Sequence, residues 1–117
     1  MEARLQRVLD AHDLPCGAVI AATGDVVVRA GDFAAFGSDG LVSALLGPYG
    51  SAEATFRGVQ EGQRSLPRMW SQGDEFAFAD RADELVIVVF GRGGSDVRAQ
   101  YELSKAVGRS IAAELTS

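Results

Sequence analysis

A chain of 117 residues is the size of one domain and long enough to bury a single core without covalent staples, so two domains would fit only with difficulty. With 47% apolar and 23% charged residues it stands apart from the disordered and membrane-spanning classes. The net charge of -5, with eleven lysines and arginines scattered singly, disfavours nucleic acid and anionic membranes as partners, because both are bound through clustered positive charge.

The opening residues, Met1 to Leu5, lack the apolar run of a secretory signal, and no apolar stretch approaches membrane-spanning length. The lone cysteine, Cys16, has no partner for an internal disulfide and lies in an apolar run. Cytoplasmic residence is the expectation.

Leu5, Val8, Leu9 and His12 fall at helical spacing and predict a helix over 3–12, ended before Pro15. Gly17 to Ala22 and Asp25 to Ala30 are β-branched or small apolar runs separated by Thr23-Gly24, a hairpin pattern. A small-residue linker containing Phe33 and Phe36 leads to Ser38-Asp39, a candidate N-cap for a helix through Leu41 to Leu46. Gly47-Pro48-Tyr49-Gly50 interrupts that helix, and Ser51 caps a further short one through Val59.

From Leu66 the period becomes that of strands. Residues 67–71 form one, Gln72-Gly73-Asp74 turns the chain, and Phe76 and Phe78 alternate with alanines on the next. Asp80 to Asp83 reads as a polar turn. Leu85 to Phe90 is apolar without alternation, which predicts a central strand covered on both faces. Gly91 to Ser95 breaks that strand, and Val97, Tyr101, Ser104, Gly108, Ile111 and Leu115 predict a long closing helix, its stripe widened by Leu103 and Val107. The order is α-β-β-α-β-β-β-α in an α/β domain, with no internal repeat.

On the first helix Leu5 to Leu9, the hairpin Cys16 to Ala30, the turn Gln72-Gly73-Asp74, the strand Glu84 to Phe90 and the helix Asp96 to Leu115, the chain resembles the Roadblock and dynein light chain family. The resemblance spans nearly the whole chain, although the break at Pro48 departs from a middle helix that family members run through. It implies a five-stranded antiparallel sheet carrying helices, a profilin-like layered architecture. It also implies a homodimer in which third strands and middle helices meet, which places Leu45, Tyr49, Phe56, Leu66, Arg68, Met69 and Trp70 at the contact. Members scaffold or regulate small Ras-like GTPases or serve motor complexes, and in bacteria the partner is often a GTPase controlling polarity or motility. No cofactor or metal is implied.

Physical chemistry points the same way. The strand around Met69 and Trp70 begins the meander, where one edge lacks a neighbour, and an apolar edge invites a second chain. Met and Trp are also favoured in interface cores.

Other candidates carry blander readings. His12, the only histidine, has no second ligand nearby in sequence and reads as a polar cap. Cys16 as a nucleophile beside His12 needs an electropositive setting that Leu14, Pro15, Gly17 and Ala18 do not supply. Gly91 to Ser95 before a helix would suit a phosphate, yet it lacks a P-loop lysine and reads as a loop. Asp80, Asp83 and Glu84 read as a solvated turn, and Arg57, Arg64 and Arg68 as surface residues, with no catalytic role assigned. A metabolite sensor is the alternative function, and a cavity of several hundred cubic ångströms between helix and sheet would favour it.

Overall fold

The computed structural model describes residues 1–36, 40–46, 68–93 and 96–115. Along the chain run α1 (Glu2–Ala11), β1 (Cys16–Ile20), β2 (Val26–Gly31), a 3-10 turn (Phe33–Phe36), α2 (Leu41–Leu46), β3 (Arg68–Gln72), β4 (Glu75–Ala82), β5 (Leu85–Arg92) and α3 (Val97–Leu115). The strands form one antiparallel sheet in the order β2-β1-β5-β4-β3. The expected order of elements is borne out.

β5 occupies the middle of the sheet, and its residues Val86 to Gly91 are all buried. That is the physical meaning of its apolar run: strands alternate their side chains, and a layer lies on each face. On one side α1 and α3 cover Val19, Phe76, Phe78, Ile87 and Val89. On the other, α2 and the 3-10 turn cover Ala18, Ala77, Ala79, Val88 and Phe90. Each hydrophobic cluster is a single layer of contacts between sheet and helices.

α1 closes on two local hydrogen bonds, Leu14 N–H to the Leu9 carbonyl (2.9 Å) and Asp13 N–H to the Asp10 carbonyl (3.4 Å). This is the Schellman arrangement, and Asp13 takes the left-handed backbone (φ 56°) for which glycine is the usual residue.

Two strand ends and one helix face depart from expectation most. β4 continues through Asp80, Arg81 and Ala82, and the turn is made by Asp83 and Glu84, since antiparallel pairing with Ile87, Val86 and Leu85 satisfies their backbone despite the polar side chains. β5 likewise includes Gly91 and Arg92, where the absence of a Cβ on Gly91 lets the Phe76 ring lie across the strand; a methyl there would stand 2.2 Å from Phe76 Cζ. On α3 the buried face is Gln100, Ser104, Val107, Ile111 and Leu115, while Val97 is 68% exposed and Tyr101 and Gly108 are only half-buried. The expected stripe is thus kept at Ser104, Val107, Ile111 and Leu115 and shifts only in the first turn, from Val97 to Gln100. The broken helix over 47–59 and its caps at Ser38-Asp39 and Ser51 lie outside the described residues.

Candidate functional site

β3 hydrogen-bonds to β4 in antiparallel register, with Met69 opposite Phe78 and Trp70 opposite Ala77. It ends the sheet, having no second neighbour among the described strands. Successive side chains point to opposite faces, so the half-buried Met69 joins the α1 and α3 layer and the half-buried Trp70 joins the α2 layer. An edge strand leaves one row of its backbone groups unpaired in the sheet.

Of the residues placed at the expected contact, Met69 and Trp70 thus share this edge, and the Arg68 backbone pairs with Ala79. Leu45 stands in α2, 5% exposed, in the same hydrophobic cluster that Trp70 packs against. Tyr49, Phe56 and Leu66 lie outside the described residues.

What holds α2 against this end of the sheet is a side chain that the sequence pattern does not announce. Glu75 opens β4 with its carboxylate almost buried, and its Oε1 accepts the Leu41 N–H at 2.8 Å. Gly40 permits the approach, since a Cβ there would lie 2.5 Å from Oε1. Arg92, from the end of β5, donates to Glu75 Oε2 and lies 4.9 Å from the Phe36 ring centroid. Burial alone would raise the Glu75 pKa, but the Leu41 amide and the Arg92 guanidinium outweigh it and hold the carboxyl below its ordinary value. The first turn of α2 is therefore capped from another strand.

The candidates for chemistry fall into structural roles. Cys16 is fully buried among Ala18, Phe36 and Phe90, and burial, reinforced by Asp32 against the opposing Arg29, pushes its thiol up to about 12. It carries a proton at neutral pH, the opposite of what a nucleophile requires. His12 ends α1, and its Nε2 stands 2.7 Å from Ser110 Oγ, linking α1 to α3. The amides that begin α3 are directed inward: Asp96 Oδ1 accepts the N–H groups of Arg98 (3.0 Å) and Ala99 (3.4 Å). Of the acidic trio, Asp80 lies within β4, where burial raises its pKa against the opposing Arg81 amide. No cluster of metal-ligating side chains occurs among the described residues, and none of the described helices is long and apolar enough to cross a membrane.

A cavity of about 360 Å³ opens at the corner where the end of α1, the end of β5 and the start of α3 meet. Leu14, Phe76 and Leu103 supply apolar lining, and Asp13, Arg92 and Asp96 supply charge.

This is a Roadblock/LC7-type fold: a five-stranded antiparallel sheet with α1 and α3 on one face and α2 on the other. Myxococcus xanthus MglB superposes with a TM-score of 0.61 at 10% identity, over 96% of this chain and 91% of that one. The gliding protein MglB of Thermus thermophilus gives 0.56 at 12% identity, over 97% and 90%. A Roadblock/LC7 domain from Streptomyces avermitilis gives 0.52 at 18% identity, over 94% and 96%. No protein-family model and no curated protein sequence matches the chain.

Proposed function

We propose that this protein is a non-catalytic, cytoplasmic scaffold or regulator that forms a homodimer through β3 and binds a small Ras-like GTPase. The observation that carries the reading is the β3 edge, which has a single neighbour among the described strands and bears Met69 and Trp70 on its two faces. Edge-to-edge pairing with a second copy would satisfy its backbone row and continue the sheet from one subunit into the next. The GTPase is the partner implied by the family resemblance in the sequence, and the protonated, buried Cys16 gives no support to a thiol enzyme.

Two experiments test it. Pull-down from the native cytosol with GDP or GTP analogues should recover a GTPase whose amount changes with nucleotide; recovery of none in either state overturns the partner. Met69→Asp and Trp70→Asp, checked for folding by circular dichroism, should convert the dimer to monomer, and folded variants of unchanged mass reject β3 as the contact.

A metabolite sensor is the second reading. The cavity at the α1–α3 corner supports it, being within the usual range for small-molecule sites.

A further inference from the structure

The corner cavity lies against Phe76 on β4 and Gly91 on β5. It adjoins β3 through Gln100, which lines it and accepts a hydrogen bond from Ser71 Oγ at 3.4 Å, but neither Met69 nor Trp70 lines it. Its floor is apolar: Leu14 and Phe76 are buried, and Leu103 packs against the same cluster. Gly91 leaves room for the Phe76 ring in this floor, since any Cβ there would strike it.

The rim has one sign of charge to spare. Asp13 is exposed, and its carboxylate engages no described group, although the residue occupies a left-handed position that glycine fills at less cost. It sits directly beyond the C-terminus of α1, where backbone carbonyls concentrate negative partial charge, and the last turn of α1 carries no basic residue to offset it. Asp96 faces from the start of α3, and its carboxylate offsets the positive end of that helix. The cavity's guanidinium, Arg92, is already engaged by Glu75 and Asp74. His12, also on the rim, has its Nε2 committed to Ser110. A positive group brought to Asp13 thus meets attraction from a carboxylate that no described group engages and from a helix terminus together.

We infer that this cavity receives one apolar side chain from a segment of a partner protein, with a lysine or arginine beside it whose charge rests on Asp13. A protein segment fits better than a free small molecule because, among the described residues, those around the mouth, Asp13, Arg92, Gly93, Asp96 and Ala99, are all exposed. Small-molecule sites enclose most of their ligand, whereas a site with an exposed rim suits an anchoring side chain whose backbone crosses that rim.

The test titrates the full ¹⁵N-labelled chain with acetyl-Ser-Leu-Lys-Ser-amide, acetyl-Ser-Leu-Glu-Ser-amide and 3-methylbutylamine, following amide shifts at Leu14, Gly91, Gly93, Ala99 and Leu103. The lysine peptide should give saturable shifts there, with affinity about three- to fivefold above the glutamate peptide, as expected for one exposed ion pair. The same factor should vanish in Asp13→Gly, a variant that suits the left-handed backbone and so folds at least as well. Absence of saturable shifts, equal affinity for both peptides, or retention of the preference in Asp13→Gly overturns the inference. So does binding of the free amine as tightly as the lysine peptide, which would make the cavity a small-molecule site. None of these readings depends on a dimer or a GTPase, so failure here leaves the proposed function standing, and the reverse.

Discussion

Replacing Glu75 with alanine deprives Leu41 of the acceptor for its amide, and the consequence can be sized from the geometry. Loss of an N-cap costs about 1 kcal/mol. Leu41 is 5% exposed, so its N–H is not freely rehydrated, and the unsatisfied donor brings the total to about 2 kcal/mol. For a domain of this length that corresponds to a fall of about 8 °C in Tm. Gly40→Ala should cost a similar amount by the opposite route, since its new Cβ would stand 2.5 and 2.7 Å from the two carboxylate oxygens and drive them off the Leu41 amide. Urea unfolding followed by the fluorescence of Trp70, the single tryptophan, at one protein concentration gives all four corners of the cycle. The double variant should lose about 2 kcal/mol rather than about 4, because both changes remove one interaction. Additive losses would refute the tertiary cap. Acid provides an independent readout. With its folded pKa held below the ordinary 4.5, Glu75 contributes stability that is present above that value and is lost as pH falls through the folded pKa. Glu75→Gln should flatten this part of the stability profile below about pH 4.5.

Further outcomes follow from burial and charge. Cys16 should resist alkylation at neutral pH in the native chain and react promptly in urea, because its thiol is buried and its pKa is pushed up to about 12; rapid native labelling would contradict this. Phe78→Ala, which empties a site 1% exposed between the sheet and the α1–α3 layer, should cost about 3–5 kcal/mol by urea unfolding. By contrast Arg7→Ala should change stability by less than about 1 kcal/mol, since its ion pair with Glu114 at 3.0 Å joins two solvent-exposed side chains. Equal losses for Phe78→Ala and Arg7→Ala would mean that the core has been misassigned.

The sequence makes the sheet legible where pattern and burial coincide. The apolar Leu85 to Phe90 run has no polar phase because β5 is covered on both faces, and Thr23-Gly24 marks the β1–β2 connection because glycine accepts the positive φ (93°) there. Polar sequence misleads at the end of β4, where Asp80 and Arg81 belong to the ladder: register in the sheet depends on backbone pairing, to which side-chain polarity is blind. The stripe on α3 holds at Ser104, Val107, Ile111 and Leu115 and departs only at its first turn, where Gln100, a polar residue, is buried and Val97, an apolar one, is not. Met69 and Trp70 are singled out by residue type, whereas the Glu75–Leu41–Arg92 cluster and the corner cavity are not. Those are assembled from segments far apart in the chain, Leu41 being 34 residues from Glu75, and local periodicity carries no trace of such meetings.

Whether the chain recruits another copy, as the β3 account requires, is decided most directly by the mass of the protein in solution. Sedimentation equilibrium of the unaltered chain should return twice the 12.3 kDa of one subunit across the micromolar range. A species of 12.3 kDa that persists to about 0.5 mM would contradict the account, leaving the edge of the sheet without the partner on which the proposed scaffold depends.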